Sequence, residues 1–283
     1  MKQITTVREM QQTIDLIRRE GRTIGIVPTM GYLHEGHLSL IREAKRNADI
    51  TVTTIFVNPA QFAHGEDYQR YPRDFNRDIK LIDSAGSDYL FAPTVEEMYP
   101  SSFSTYVEVG SITGILEGKF RPAHFRGVTT IVAKLFNTIK PHVAVFGQKD
   151  AQQVIVIRQM VHDLNHDIRI IVAPIVREAD GLAMSSRNTY LSPEQRKESA
   201  TIYKSLKRGE QMINDGERNC ARIIAEISSY LTTQPSLKID YASIADADSL
   251  EEYTVIKENS RILISLAVRV GATRLIDNII VTL

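Results

Sequence analysis

Pro28-Thr29-Met30-Gly31-Tyr32-Leu33-His34-Glu35-Gly36-His37, taken with the apolar run Thr23 to Val27 before it, decides how this chain folds. Thr23 to Val27 reads as a buried strand, Pro28 and Gly31 break it, and Leu38, Leu40, Ile41 and Ala44 restart a helical period. Strand, tight loop and helix in that order open an α/β sheet. His34 and His37 then fall at the helix N-terminus and share a face, where unpaired backbone amides and the positive end of the helix dipole favour an anion. Together these features describe a phosphate site. Two plainer readings stand beside it. One is half of a zinc site, for which a chain with one cysteine offers few further ligands; the other is a pair of surface histidines at a helix start.

The neighbouring sequence continues the α/β grammar. Upstream, Thr6 and Glu9 form a capping-box signature ahead of Val7, Met10, Ile14 and Ile17, with Gly21 as a stop. Downstream, Ile50 to Val57 predicts a β-branched strand that ends at Asn58-Pro59. Arg73 to Ala85 predicts a helix with the apolar set Phe75, Ile79 and Ile82, stopped by Gly86, and Asp88 to Phe91 the next strand. Val128, Ile131, Val132, Leu135 and Ile139 mark a helix closed by Pro141, and Val143 to Phe146 a short buried strand. A further helix starts near Asp150, and Ile168 to Val176 predicts one more strand. Strands alternating with helices of this length imply a parallel sheet covered by helices on both faces, here over residues 1–176.

After the loop Arg177 to Asn188 the pattern changes to a smaller α+β domain, residues 177–283. Ser192-Pro193 with Gln195 starts a long polar helix to Asn214, and Cys220 to Leu231 forms a second. Strand-like runs follow at Lys238 to Ile244, Arg261 to Val268 and Leu275 to Val281.

Bulk composition narrows the function. The 34 basic and 34 acidic residues cancel, leaving no electrostatic footprint for nucleic acid or an anionic membrane and favouring a small-molecule partner. No apolar run approaches the ~20 residues of a membrane span. The single Cys220 and an N-terminus without a charged-then-apolar leader make the cytoplasm the expected location. There is no G-x-x-x-x-G-K-[ST], no G-x-G-x-x-G and no G-x-S-x-G, which argues against P-loop, dinucleotide and serine-hydrolase chemistry. Cys220 lies in a helical pattern and reads as a packing residue.

In an open parallel sheet, ligands bind beyond the carboxyl ends of the strands. Four polar clusters follow predicted strands: His34 and His37; Asn58 and Gln61; Gly147-Gln148-Lys149-Asp150; and Met184-Ser185-Ser186-Arg187. If those strands are parallel, the four share one rim. Lys149 is a compact cation suited to a phosphate oxygen, and Arg187 can grip phosphate with two donors. Lys149 and Asp150 also read as a solvated helix cap, and Ser185 to Arg187 as a polar interdomain linker. Gln61 and Gln153 could orient a carboxylate or hydroxyl ligand, or simply be exposed.

The His34-Glu35-Gly36-His37 tetrapeptide resembles the HIGH signature of the nucleotidyltransferase superfamily. The wider set is Pro28-Thr29-Met30-Gly31, Phe56 to Phe62, Tyr71-Pro72-Arg73, Arg121-Pro122 with His124-Phe125 and Gly127-Val128, Phe146 to Asp150 with Gln153, and Arg177 to Asn188. It is similar to the pantoate–β-alanine ligases. Ser186 and Arg187 stand where the KMSKS loop of related tRNA synthetases has lysine and serine.

The resemblance implies a Rossmann-like first domain and ATP-dependent joining of pantoate to β-alanine through a pantoyl adenylate. By similarity, Met30, Gly31, Tyr32, Leu33, His34, Glu35, Gly36 and His37 line the ATP site, with His37 as proton donor and His34 on the phosphates. Gly147, Gln148, Lys149 and Asp150 hold ribose and α-phosphate, and Lys149 is catalytic with the two histidines. Val176 meets adenine, and Met184, Ser185, Ser186 and Arg187 meet the outer phosphates. Gln61 and Gln153 hold pantoate, with Gln61 also near β-alanine, and Asn58 and Tyr71 are further substrate contacts. Mg²⁺ bridges the ATP phosphates with Asp78 as a nearby contact, the second domain closes over the site, and the chain forms a homodimer. Other nucleotidyltransferases and a non-catalytic nucleotide-binding protein remain as alternatives, distinguished by whether pyrophosphate release needs pantoate.

Overall fold

The computed structural model describes every residue of 1–283 except His64. It divides into two compact units, Met1–Gln148 with Val156–Pro174, and Lys149–Ile155 with Ile175–Leu283. The sequence puts residues 149–155 in the first domain. They group with the second, in which Asn278 Nδ2 donates to the Lys149 carbonyl at 3.0 Å.

The first unit runs β1 (Lys2–Ile4), α1 (Val7–Arg19), β2 (Ile24–Thr29), α2 (Glu35–Asn47), β3 (Ile50–Ile55), α3 (Phe75–Ala85), β4 (Tyr89–Phe91), α4 (Val95–Met98), α5 (Glu117–Phe120), α6 (His124–Ile139) and β5 (Val143–Gly147). Helix α7 (Ala151–Asp163) begins in the second unit and ends in the first, where β6 (Arg169–Ala173) completes the sheet. The six strands pair in the order β1-β4-β3-β2-β5-β6, all parallel. Apart from β1, which adds at the outer edge beside β4, chain order runs outward in both directions from β2, and the reversal between β2 and β5 is the switch point where such sheets open a crevice. Val27, Val143 and Val145 of the sheet pack with Leu38, Ile41 and Ala44 of α2 and Ile82 of α3 in one buried cluster.

Local departures from the sequence pattern have local causes. Strand β2 runs through Pro28 to Thr29, because its pairing with β5 ends at Ile26 and a missing amide beyond that point leaves no bond unmade on that side. Edge strand β1, with Ile4 as its only buried residue, is too short to announce itself. Thr6 accepts the Glu9 amide as expected, but the Glu9 carboxylate pairs with Lys2 at 3.0 Å, so only half of the capping box forms. In α3, Phe75 is exposed and Asp78 is buried, the reverse of what hydropathy predicts.

In the second unit, the expected single long helix is two, α8 (Pro193–Ser199) and α9 (Thr201–Asn214), joined at Ala200; α10 (Cys220–Leu231) follows. Ser192 and Gln195 complete a reciprocal capping box. Strands β7 (Leu237–Asp246), β8 (Arg261–Val270) and β9 (Thr273–Thr282) form an antiparallel sheet, whose core side chains Ile244, Ile264, Leu266 and Val268 pack with Leu206, Ile223 and Ile227 of α9 and α10. Among the described residues, no helix is long and apolar enough to cross a membrane.

Candidate active site

The loop between β2 and α2 is held by a carboxylate. Tyr32 N donates to Asp78 Oδ2 at 2.6 Å and Leu33 N to Asp78 Oδ1 at 2.8 Å, and Asp78 is only 1% exposed. Gly31 turns the chain at φ +81°, a conformation that strains any L side chain, and a Cβ there would press at 3.1 Å on both Asp78 Oδ2 and Ile55 Cγ2. Tyr32 follows at φ +50°, a left-handed conformation that a non-glycine residue adopts only when its surroundings impose it. Burial pushes the Asp78 carboxyl above the usual range, against the two amides and Arg77, which pull it down. Asp78, the expected ion contact, is thus turned to the backbone of Tyr32 and Leu33 and sealed from solvent.

His34 and His37 occupy the N-cap and N3 positions of α2, with ring centroids 4.0 Å apart. The His34 amide donates to His37 Nδ1 at 3.3 Å. An amide cannot accept, so Nδ1 carries the lone pair and the ring proton sits on Nε2. His37 therefore offers an N–H donor next to the amides of a helix start.

Beyond the end of β3, Asn58 accepts the Ala60 amide at 3.2 Å and caps the short turn Pro59–Gln61. Asn58 Nδ2 donates to Gln61 Oε1 at 3.2 Å and to the Gly127 carbonyl at 3.0 Å, and Gln61 Nε2 reaches Met30 Sδ at 3.0 Å. The carbonyl of Gln61 is fixed as well. His124 Nδ1 donates to it at 2.9 Å, while Arg121 Nη1 meets His124 Nε2 at 3.2 Å. A carbonyl only accepts and a guanidinium only donates, so His124 is neutral with its proton on Nδ1. Burial, with Arg121 adding to it, lowers the His124 pKa to about 4. Arg121 is itself held by both oxygens of Glu66 at 2.8 Å. Tyr71 is buried with its ring edge-on to Phe62 at 6.0 Å. The first unit thus brings Met30, Gln61 and Asn58 into one bonded network. Tyr99, Arg121 and His124 were not assigned a role from sequence; hydrogen bonds spanning up to 63 residues join them to it, and pattern alone does not carry that separation.

In the second unit, Val176 and Met184 are hydrogen-bonded across a small hairpin, Met184 N to Val176 O at 3.0 Å, with the turn at Gly181. Ser185 caps the Arg187 amide, and Ser186 is buried. Arg177 at the hairpin base makes a two-pronged pair with the buried Asp277 of β9, at 2.6 and 2.9 Å, and stacks on Tyr203 at 3.8 Å. Lys149, Ser185, Asn188 and Asp277 line one small cavity. Lys149 Nζ is 4.0 Å from Asp150, and Gln153 is half-buried on the first turn of α7. Among the described residues, no group of three or more His, Cys, Asp or Glu side chains is placed to hold a metal ion.

A parallel sheet with a helix starting just after β2 and oriented side-chain amides just after β3 is the framework of α/β proteins that take ligands beyond the carboxyl ends of their strands. Residues 2–280 match the family model for pantoate-beta-alanine ligase, and the chain belongs to that family. It is 55% identical over 281 residues to the pantothenate synthetase of Acetivibrio thermocellus, covering 99% of each chain. The crystal structure of the Thermus thermophilus pantothenate synthetase superposes with a TM-score of 0.93 at 43% identity, again covering 99% of both chains. A Francisella tularensis pantoate-beta-alanine ligase, solved in complex with beta-gamma ATP and beta-alanine, matches at a TM-score of 0.81 and 35% identity, over 99% of this chain and 97% of that one.

Two consequences can be measured. A Cβ at Gly127 would lie 2.6 Å from Gln61 Cα and clash with the Ala60 carbonyl. Gly127→Ala should therefore displace the 59–61 turn and destabilise the protein by roughly 1–3 kcal/mol, the scale of core overpacking, which urea denaturation would read. His124, with a folded-state pKa of about 4 against roughly 6.5 unfolded, takes up its proton mainly on unfolding between those values. Stability should therefore fall as pH is lowered from 6.5 towards 4, and His124→Gln should flatten that part of a melting-temperature profile.

Proposed function

We propose that this ligase activates pantoate with ATP and transfers the activated acyl group to β-alanine, releasing pyrophosphate and then AMP. The observation that carries the proposal is the His37 N–H donor at the α2 start beside the sheet switch point, in a chain of this family. In the first step, a pantoate carboxylate oxygen attacks the α-phosphorus, the bond to pyrophosphate breaks and a mixed anhydride forms. Charge builds on the phosphorus oxygens, where preorganised donors count most. His37 meets it with Nε2–H and Lys149 with a cation. Because His37 Nδ1 is committed to the His34 amide, the ring acts by donating a hydrogen bond and returns unchanged. In the second step, the β-alanine amine attacks the acyl carbon, loses a proton, and AMP leaves.

The remaining assignments follow from the family resemblance, residue by residue. Gln61 and Gln153 hold pantoate, Gln61 is also near β-alanine, and Asn58 and Tyr71 are further substrate contacts. Met30 to His37 and Gly147 to Asp150 contact the nucleotide, Val176 the adenine, and Met184 to Arg187 the outer phosphates. Mg²⁺ enters on the triphosphate, an arrangement that suits an ion keeping most of its water and needing no protein cage. No step here depends on a protein ligand to it. Pairing into a homodimer and a cytoplasmic location belong to the same proposal.

Incubation with ATP, Mg²⁺, pantoate and β-alanine should give pantothenate and AMP by mass spectrometry, with pyrophosphate appearing only when pantoate is present. Pyrophosphate release that ignores pantoate would point to a different nucleotidyltransferase. In single-turnover assays, His37→Ala and Lys149→Ala should each slow adenylate formation by at least ~10²-fold, the loss that follows removal of one transition-state donor.

A further inference from the structure

Lysine carries its charge at the end of a flexible four-carbon stem, so a lysine that must meet charge developing on a phosphate needs its backbone held still. Lys149 lies in the short turn Gln148–Asp150, between β5 and α7. Its carbonyl accepts Asn278 Nδ2 of β9 at 3.0 Å. A carbonyl can only accept, so the Asn278 amide has one permitted orientation here. Asn278 is 2% exposed, and water cannot stand in for it. Its own main chain is pinned on both sides: the amide donates to Asp277 Oδ1 at 2.8 Å, and the carbonyl accepts Arg177 Nη2 at 3.2 Å. Asp277 lines the same small cavity as Lys149, but both of its oxygens are taken by Arg177, at 2.6 and 2.9 Å. That buried carboxylate is neutralised by another cation, and Asp150, 4.0 Å from Lys149 Nζ, is half-exposed and screened by water. The Lys149 charge is left to a ligand.

We infer that Asn278 is a positioning residue for the first chemical step: its hydrogen bond to the Lys149 carbonyl fixes the backbone from which the Lys149 ammonium meets the oxygens of the α-phosphorus. This rests on the reaction proposed above, in which Lys149 supplies a cation as the carboxylate oxygen attacks. Asn278 acts through Lys149. With the donor removed, the 148–150 turn loses its tie to β9 and the ammonium spreads over more positions, so fewer are poised when charge builds on the phosphate. Binding of ATP in the ground state draws on the remaining contacts of the nucleotide, so the loss falls on the rate and not on affinity.

Asn278→Ala removes the donor, and Asn278→Asp keeps the shape but, ionised, has no hydrogen to give. In single-turnover assays with ATP and pantoate, each should slow adenylate formation about tenfold, while ATP and pantoate affinities stay within about threefold of wild type in calorimetric titration, which also reports intact folding. A double-mutant cycle separates aiming from general support. With Lys149→Ala already in place, adding Asn278→Ala should change the rate by less than about twofold, because the ammonium it aims is gone. The two substitutions disturb packing differently, so if one variant fails to fold the other is read through the same cycle. Equal slowing in the two backgrounds, an unchanged rate in the single variants, a loss of ATP affinity as large as the loss of rate, or loss of folding in both variants would overturn the inference. If the wild type releases no pyrophosphate with pantoate, the proposed function fails; if Lys149→Ala is as fast as wild type, the role of that lysine fails and the aiming role with it. If both behave as proposed and the cycle is additive, the inference about Asn278 alone fails.

Discussion

The Asp78 carboxylate on the amides of Tyr32 and Leu33 is the constraint on which the first unit's site depends. Those two amides follow consecutive left-handed residues, in a loop outside the sheet and helix ladders. An isolated buried carboxylate would be expensive, and unpaired buried amides equally so. Each resolves the other's problem, and the geometry that results feeds Leu33 into the core and starts α2 with His34 as its cap. The two histidines are therefore aimed by a residue 41 positions downstream of the second, on a different helix.

The same logic of obligatory donors and acceptors recurs at Gln61. Its carbonyl is held by a histidine that must stay neutral, its side chain by an asparagine that cannot flip, and its backbone by a close approach that only Gly127 permits. Buried networks are valuable when every member is satisfied, because a wrong orientation leaves a polar group unpaired in a low dielectric.

Much of the architecture was legible in sequence, and its limits have physical reasons. The periodicities of α1, α2 and α10 appear where hydropathy puts them because each buries one face, and α6 and the β-branched runs of β2, β3 and β8 because they are buried almost throughout. The histidine pair was legible because a strand, a glycine turn and a helix start lie within fifteen residues of one another. Asp78 was visible only as a charge on a helix, and Tyr99 and His124 only as members of longer motifs. Their partners lie 41 to 63 residues away, and a hydrogen bond at that separation leaves no periodic trace. Phe75 misled for the opposite reason, being an apolar residue that the first turn of α3 leaves in solvent.

The second unit shows what such long-range pairs accomplish. Asp277 is buried on β9, where burial pushes its carboxyl up while Arg177 and the Asn278 amide pull it down. A buried charge pair is tolerated only when the remaining donors and acceptors are filled. Here both oxygens of Asp277 take the guanidinium, which also donates to the carbonyls of Gly181 and Asn278 and lies flat on Tyr203. That set of bonds closes the hairpin on which Val176 and Met184 pair, and the neighbouring Asn278 side chain holds Lys149 through its carbonyl. Adjacent residues of one strand thus hold two segments that lie far apart in the chain and that both carry candidate nucleotide contacts. Strand β9 is therefore the one that brings order to Lys149 and to the approach to Met184 within this unit.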